Sequence, residues 1–447
     1  MRKILEKNSK ENVCINTNGK YADSKYNGFT LIELLAIIVI LAVIAVITVP
    51  IILNIIDNSK KGAITDSAYG YKDALQKYNM TLLTRNPESE GLKGSYTVTE
   101  LKNLGLEISG QEPSEGIILI DNEGITGCLK FDEYTTYLYN NQVVGTAKGN
   151  CPTQKLVTTG DGLYKSTTEP GRLIYRGANP NNRIFLSEDG TNNTLYRIVS
   201  YETDGTIKVV RDEKLFNKAW DEANVRKSDG TNNTYCTSEN GCNVWGDQTN
   251  TLYNGSSLGD SFHYFYYSSP TATTLSNGGA GKVGTESTLN KYLNDGSWTG
   301  LSNLESYIDN HSWNVGGVYY TADDKGIIKE KEEESVLTWN GKVGLMNITE
   351  YVEASLNPTC TSARSNYSSS SGSPCKESNW TYKNYHQWSL SPVSNTRVGV
   401  WLVISAGYFS YYGGAHGTFG VRPAFYLKSN IGLTGSGTET NPYRILG

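Results

Sequence analysis

Basic residues are not in excess in this chain. Its 447 residues carry 40 Lys and Arg against 45 Asp and Glu, a formal net charge of −5. That balance removes the electrostatic case for a nucleic-acid partner, which would need phosphate neutralisation. Charge of either sign is scarce, at 19% of residues. The metalloprotease and redox signatures H-E-x-x-H and C-x-x-C do not occur. The four histidines, His263, His311, His386 and His416, are scattered and give no metal-ligand spacing. A single G-x-G-x-x-G runs from Gly279 to Gly284. It has neither an apolar strand ahead of it nor the acidic residue of a βαβ frame. The expectation is a protein that is not an enzyme and holds no cofactor or metal.

What fills the chain instead is tyrosine, 31 of them, with 46 glycines and many Ser, Asn and Thr. This is the composition of an exported, turn-rich β protein with a polar, uncharged surface. Seven cysteines are present. Cys14 stands apart near the N-terminus, and the other six fall into sequence-local pairs: Cys128 with Cys151, Cys236 with Cys242, Cys360 with Cys375. An even set in an exported chain reads as disulfides; buried free thiols are the alternative, and spacing alone leaves the connectivity open.

The longest apolar run, Leu34 to Leu53, is broken only by Thr48 and Pro50. Its 20 residues would span about 30 Å as a helix, one bilayer core. Ahead of it lies Gly28-Phe29-Thr30-Leu31-Ile32-Glu33, preceded by a segment with six Lys/Arg and three Asp/Glu. A carboxylate in an apolar span costs about 2.5–3.5 kcal/mol at mid-bilayer, so Glu33 marks a function or a partner. A conventional secretory signal would have a shorter core followed by a small-residue cleavage site. A plain anchor helix would leave Glu33 without a reason.

The arrangement resembles the type IV prepilin processing site. The resemblance implies cutting after Gly28 by a prepilin peptidase/methyltransferase, methylation of the new N-terminal Phe29, and assembly with other pilin subunits. It also implies a precursor in the cytoplasmic membrane and a mature chain at the cell surface or in a pilus, with most of the chain extracellular. Glu33 would meet a neighbour's N-terminal amine, and Pro50 would kink the helix. The resemblance divides the chain into a leader (1–28), a long helix (29–80) with a transmembrane segment (34–56), and a pilin-like head (81–152). Ile64, Ala68, Tyr71, Leu75 and Tyr78 mark the helix face that packs on a sheet, with Gly62 and Gly70 weakening it. Strands are predicted over 116–120, 127–131 and 135–139, after a short helix ended by Gly105. Pilins often close this region with a disulfide, which the resemblance assigns to Cys128 and Cys151.

Ordinary pilins stop near here. A Thr-, Gly- and Lys-rich stretch, 153–170, reads as a linker to a further module, 171–447. Strands are expected over 172–175, 182–186, 195–201 and 206–211, then helices over 286–293 and 302–310, the second with a Ser302–Glu305 capping box. Trp388-Ser389-Leu390-Ser391-Pro392 and Gly420-Val421-Arg422-Pro423-Ala424-Phe425-Tyr426-Leu427 resemble the closing strands of the C-type-lectin-like and formylglycine-generating-enzyme fold group. The calcium-site motifs of lectins in that group are absent. The fold class expected is α+β: a long transmembrane pilin helix packed on a small antiparallel sheet, then a C-type-lectin-like α+β domain.

Between those strands, residues 394–420 are rich in Tyr, Ser and Gly, the chemistry of antibody-type paratopes. Tyr408, Tyr411, Tyr412 and His416 are the candidate ligand contacts. The competing reading is that the aromatics fill a β core and Gly413-Gly414 only turns a hairpin. The function expected is a type IV pilin-like surface subunit, minor or at the tip, displaying an adhesin-like module to an extracellular protein or glycan. A pseudopilin contacting secreted cargo or DNA, and a membrane-anchored enzyme, are the rivals.

Overall fold

The computed structural model describes residues 30–223, 239–246, 262–267, 275–281, 286–319, 326–362, 374–394, 396 and 398–446. The chain divides into two compact units, Met1–Ser59 and Lys60–Gly447.

Within the first unit, the apolar run is helical, and every residue from Leu31 to Ile56 is exposed. An all-round apolar helix of this length suits a bilayer or a bundle of like helices. Pro50 lies inside the helix, which runs unbroken across it.

The helix extends to Arg85, five residues past the expected end at Met80. Pro87 supplies the stop, because proline disfavours helical backbone in the residue before it. In the second unit Ile64, Ala68, Tyr71 and Leu75 are buried, the stripe their spacing predicts. Gly70 is there for close approach: a Cβ on it would lie 1.9 Å from the Ser109 carbonyl oxygen.

This stripe packs on a five-stranded antiparallel meander of Gly94–Thr97, Glu115–Asp121, Gly124–Phe131, Tyr134–Tyr139 and Gln142–Lys148, in chain order. The first and last strands are additions to the three expected; both are short of large apolar residues. Thr97 and Glu100 form a capping box on the helix Val98–Leu101, and Gly105 takes the left-handed conformation past its end.

The sheet has two covered faces. Ile118, Ile120, Leu129, Phe131 and Leu138 join the helix stripe in one core. Ile117, Leu119, Cys128 and Tyr137 point the other way and join the core of the C-terminal module. Continuous apolar runs such as Ile117–Ile120 are what burial on both faces requires. The expected linker is therefore corrected. Residues 153–170 contain the strand Gly162–Lys165, and Leu156 and Leu163 are fully buried. The polar composition of that stretch hides a few apolar anchors.

The module is built on two larger sheets. One contains Gly162–Lys165, Leu173–Arg176, Thr194–Tyr201, Ile207–Arg211, Ala424–Leu427 and Val343–Gly344 in spatial order, with Arg183–Leu186 also on Thr194–Tyr201. The other runs Phe216–Ala219, Thr418–Val421, Gln387–Pro392, Val400–Val403 and Phe409–Tyr412. The run 420–427, which reads as one strand, is split between them. Pro423 cannot donate to a ladder, and Arg422 beside it is buried, donating to the carbonyls of Arg211 (2.9 Å) and Thr381 (2.8 Å).

The two expected helices are present as Thr288–Asn294 and Thr299–Leu304, but the Ser302–Glu305 capping box does not form. The second helix starts earlier, so Leu301 and Leu304 reach the core, and the Ser302 hydroxyl donates to the Thr299 carbonyl. Gly279–Gly281 ends the strand Leu275–Gly281, which pairs antiparallel with Phe262–Tyr267 and so is no βαβ phosphate loop. All eight tryptophans lie in this module, each 6% exposed or less.

Candidate functional site

Two places carry the sequence-predicted residues. At the N-terminal site Gly28 and Phe29 lie outside the described residues. Glu33 is exposed in the first turn of the helix. Its Oε2 accepts from the Thr30 amide (2.9 Å) and the Thr30 hydroxyl (2.8 Å), and its own amide donates to Thr30 Oγ1 (3.3 Å). This is reciprocal capping of the helix start. Both bonds fall on one carboxylate oxygen.

The second place is the hairpin Val400–Val403 and Phe409–Tyr412, which pairs Trp401 with Tyr411 and Val400 with Tyr412. Trp401, Val403, Phe409 and Tyr411 lie on one face of it, yet they differ in burial. Trp401, Val403 and Phe409 are buried, so the core reading holds for them. Tyr411 is 45% exposed, its ring edge-on to Trp401 at 5.8 Å. Tyr408 is half-buried against the core. The Tyr412 side chain lies outside the described residues. His416 is half-buried, and its Nδ1–H and its backbone N–H both donate to the Asn240 carbonyl, each at 3.0 Å. A Cβ on Gly414 would sit 2.4 Å from His416 Nδ1, so this glycine makes room for the imidazole. Tyr408 sits in the turn of the hairpin, Tyr411 towards the open end of its edge strand and His416 beyond that strand. Their exposure permits contact with a ligand at Tyr411 above all.

Residues with no motif hold this hairpin in place. The buried Asn243 amide donates to the carbonyls of Val393 (3.1 Å), Thr396 (3.0 Å) and Gly399 (2.9 Å), the loop entering the hairpin. Asp221 accepts from the Cys242 amide (2.8 Å) and the Thr288 amide (3.0 Å). On the other flank the ring of Tyr382 stacks on Phe409 at 6.2 Å. A single Asn or Asp in a polar chain gives no warning of such a role, because only the fold brings its partners near.

The cysteine pairs stand as follows. Cys128–Cys151 and Cys360–Cys375 are bridged, each with Cα atoms 5.6 Å apart. Cys242 is disulfide-bonded as well. Cys236, its expected partner, lies outside the described residues.

Beneath the sheets is an ion network that the sequence does not announce. Glu350, 5% exposed, accepts from Arg172 Nη2 (2.6 Å) and Lys208 Nζ (2.7 Å). Burial pushes the Glu350 carboxyl up, but Lys208, Arg172 and Lys331 outweigh it and hold the pKa down to about 2. Lys208 also lies over the rings of Trp313 (4.8 Å) and Tyr426 (5.1 Å). Among the described residues, no group of three or more His, Cys, Asp or Glu is placed to hold a metal.

A family model described as the prokaryotic N-terminal methylation motif matches residues 23–49, a stretch that contains Gly28, Phe29 and Glu33. The match supports a type IV pilin-like or pseudopilin protein, processed by a prepilin peptidase from a membrane-anchored precursor and assembled with other pilins. No curated protein and no solved structure matches the chain.

Proposed function

We propose that this pilin-like chain is a minor or tip subunit whose C-terminal module is a non-enzymatic binding domain, and that the hairpin 400–412 with His416 is its recognition surface. The observation that carries this reading is the exposure of Tyr411 on a hairpin whose neighbours are buried and clamped. A rigid base with an exposed tyrosine lowers the entropy lost on binding. The lectin-like reading of the module draws support from the strands Gln387–Pro392, Thr418–Val421 and Ala424–Leu427, which coincide with the stretches that carry the resemblance.

Filament entry would use Glu33. The Thr30 bonds occupy Oε2, so Oε1 is open to a neighbour's N-terminal amine. The minor or tip position is favoured by bulk: the module covers the outer sheet face and would crowd a helical array if every subunit carried it.

The test uses the intact chain in its native host. Cells carrying wild type or Tyr411→Ala are compared for binding to immobilised matrix proteins and a glycan array, and the subunit is located on sheared filaments by immunogold. The reading expects binding lost in the variant and label at filament ends or at low density. Filament-free cells that retain the protein in the membrane and lose secretion on its deletion would establish the pseudopilin reading instead.

A further inference from the structure

A cavity of about 320 Å³ lies where the pilin sheet, the module and the C-terminal tail meet. It is separate from the hairpin. Lys130, Thr153 and Tyr443 line it together with Ile207, Ile431 and Leu433. Its size is at the lower end of small-molecule sites, roughly 300–1,000 Å³. Left to solvent, it would hold about ten waters at about 30 Å³ each.

The charge on its walls is balanced. Lys130 Nζ donates to Asn150 Oδ1 at 2.7 Å and has Glu115 at 3.8 Å across the strand pair. The other polar groups are neutral. Asn150 Nδ2 donates to the Ile431 carbonyl at 3.2 Å, and the hydroxyls of Thr153 and Tyr443 lie 3.1 Å apart. Burying a net charge among balanced walls would go uncompensated, which disfavours an anion or a metal cation. Four aliphatic side chains, Ile207, Ile431, Leu433 and Leu446, share the lining with these amides and hydroxyls, which disfavours a molecule polar on all sides. Glu115 is mostly exposed, with 72% of its side chain open, so it is a poor seat for a buried ammonium group.

We propose that this seam cavity binds a neutral polyhydroxylated ring, a mono- or disaccharide. Its hydroxyls would exchange bonds with Asn150, Thr153 and Tyr443, and its C–H face would lie on Ile207, Ile431 and Leu433. Because the walls come from both the pilin sheet and the module, an occupant braces the two against each other.

The experiment is saturation-transfer NMR on the full chain in micelles of a zwitterionic detergent free of sugar headgroups. The probes are glucose, galactose, N-acetylglucosamine and maltose, with leucine and inorganic phosphate as contrasts. The expected result is transfer to at least one sugar and to neither contrast. Gly432→Leu should remove the signal, since a Cβ there already meets Leu446 Cδ1 at 2.9 Å and a longer chain occupies the cavity. Thr153→Val, a milder change, should weaken binding about fivefold, the equivalent of one neutral hydrogen bond. Transfer to no sugar, transfer to leucine or phosphate instead, or sugar binding untouched by both Gly432→Leu and Thr153→Val would each overturn the proposal.

Discussion

At the residue scale, burial separates side chains that look alike in the sequence. Trp401 and Tyr411 face each other across one hairpin, yet one is 2% and the other 45% exposed. Trp401→Ala should cost about 3–5 kcal/mol of stability, as large core truncations do. Tyr411→Ala should stay within about 0.5 kcal/mol while ligand binding falls; denaturant titration of both variants checks the contrast. Gly70 offers the opposite lesson. On helix propensity alone, Gly70→Ala gains about 1 kcal/mol. The Ser109 carbonyl in its path makes it an overpacking change, expected to cost about 1–3 kcal/mol and to lower the midpoint of thermal unfolding. Glu33→Ala should leave removal of the leader after Gly28 intact but reduce incorporation into filaments, read by mass spectrometry of the mature chain and immunoblots of sheared pili.

At the scale of elements, the hairpin 400–412 depends on segments distant in sequence. Asn243 ties down the three carbonyls of the loop 393–399. Asn243→Ala removes the side-chain donor shared by those carbonyls, a cost of about 1–3 kcal/mol. Its signature is local: hydrogen exchange of amides near Val393 and Gly399 should speed up, while those in the five-stranded sheet stay protected. Unchanged exchange at 393–399 would remove Asn243 from the support of the hairpin. The segmentation of this region was partly legible beforehand. Alternation and turn residues located the three middle strands of the meander and four early strands of the module. The strand Gly162–Lys165 was not legible, because two anchors in a polar stretch do not make a pattern. The split at Pro423 was visible as a proline, but the sequence does not say that the two halves join different sheets.

At the scale of the whole molecule, the second unit is one interlocked body. Its pilin sheet is covered by the long helix on one face and by the module on the other. A fragment starting near residue 155 would lose the apolar cover of Ile117, Leu119 and Tyr137. It should aggregate or bind hydrophobic dyes where the chain from Lys60 does not. Acid stability follows from the buried ion network. Glu350 has a folded pKa of about 2, below its ordinary 4.5. A depressed carboxyl stabilises the fold above the unfolded pKa and loses that contribution as pH falls through the folded one. Stability should therefore decline from about pH 4.5 towards pH 2, and Glu350→Gln should flatten that decline while costing about 3–5 kcal/mol at neutral pH through the stranded Lys208. Urea unfolding across that range measures both effects.

The start of the chain is written in local order. A processing motif, an apolar run and a helical stripe act through neighbours along the chain, so the motif's resemblance indicates a pilin-like start and the spacing a long apolar helix and the face it buries. The rest was decided by tertiary structure. Which tyrosine reaches solvent, why a stretch that reads as a tether is core, and how Asn243 and Glu350 find their partners depend on contacts across one or two hundred residues, and no local pattern encodes a contact whose other half is that far away.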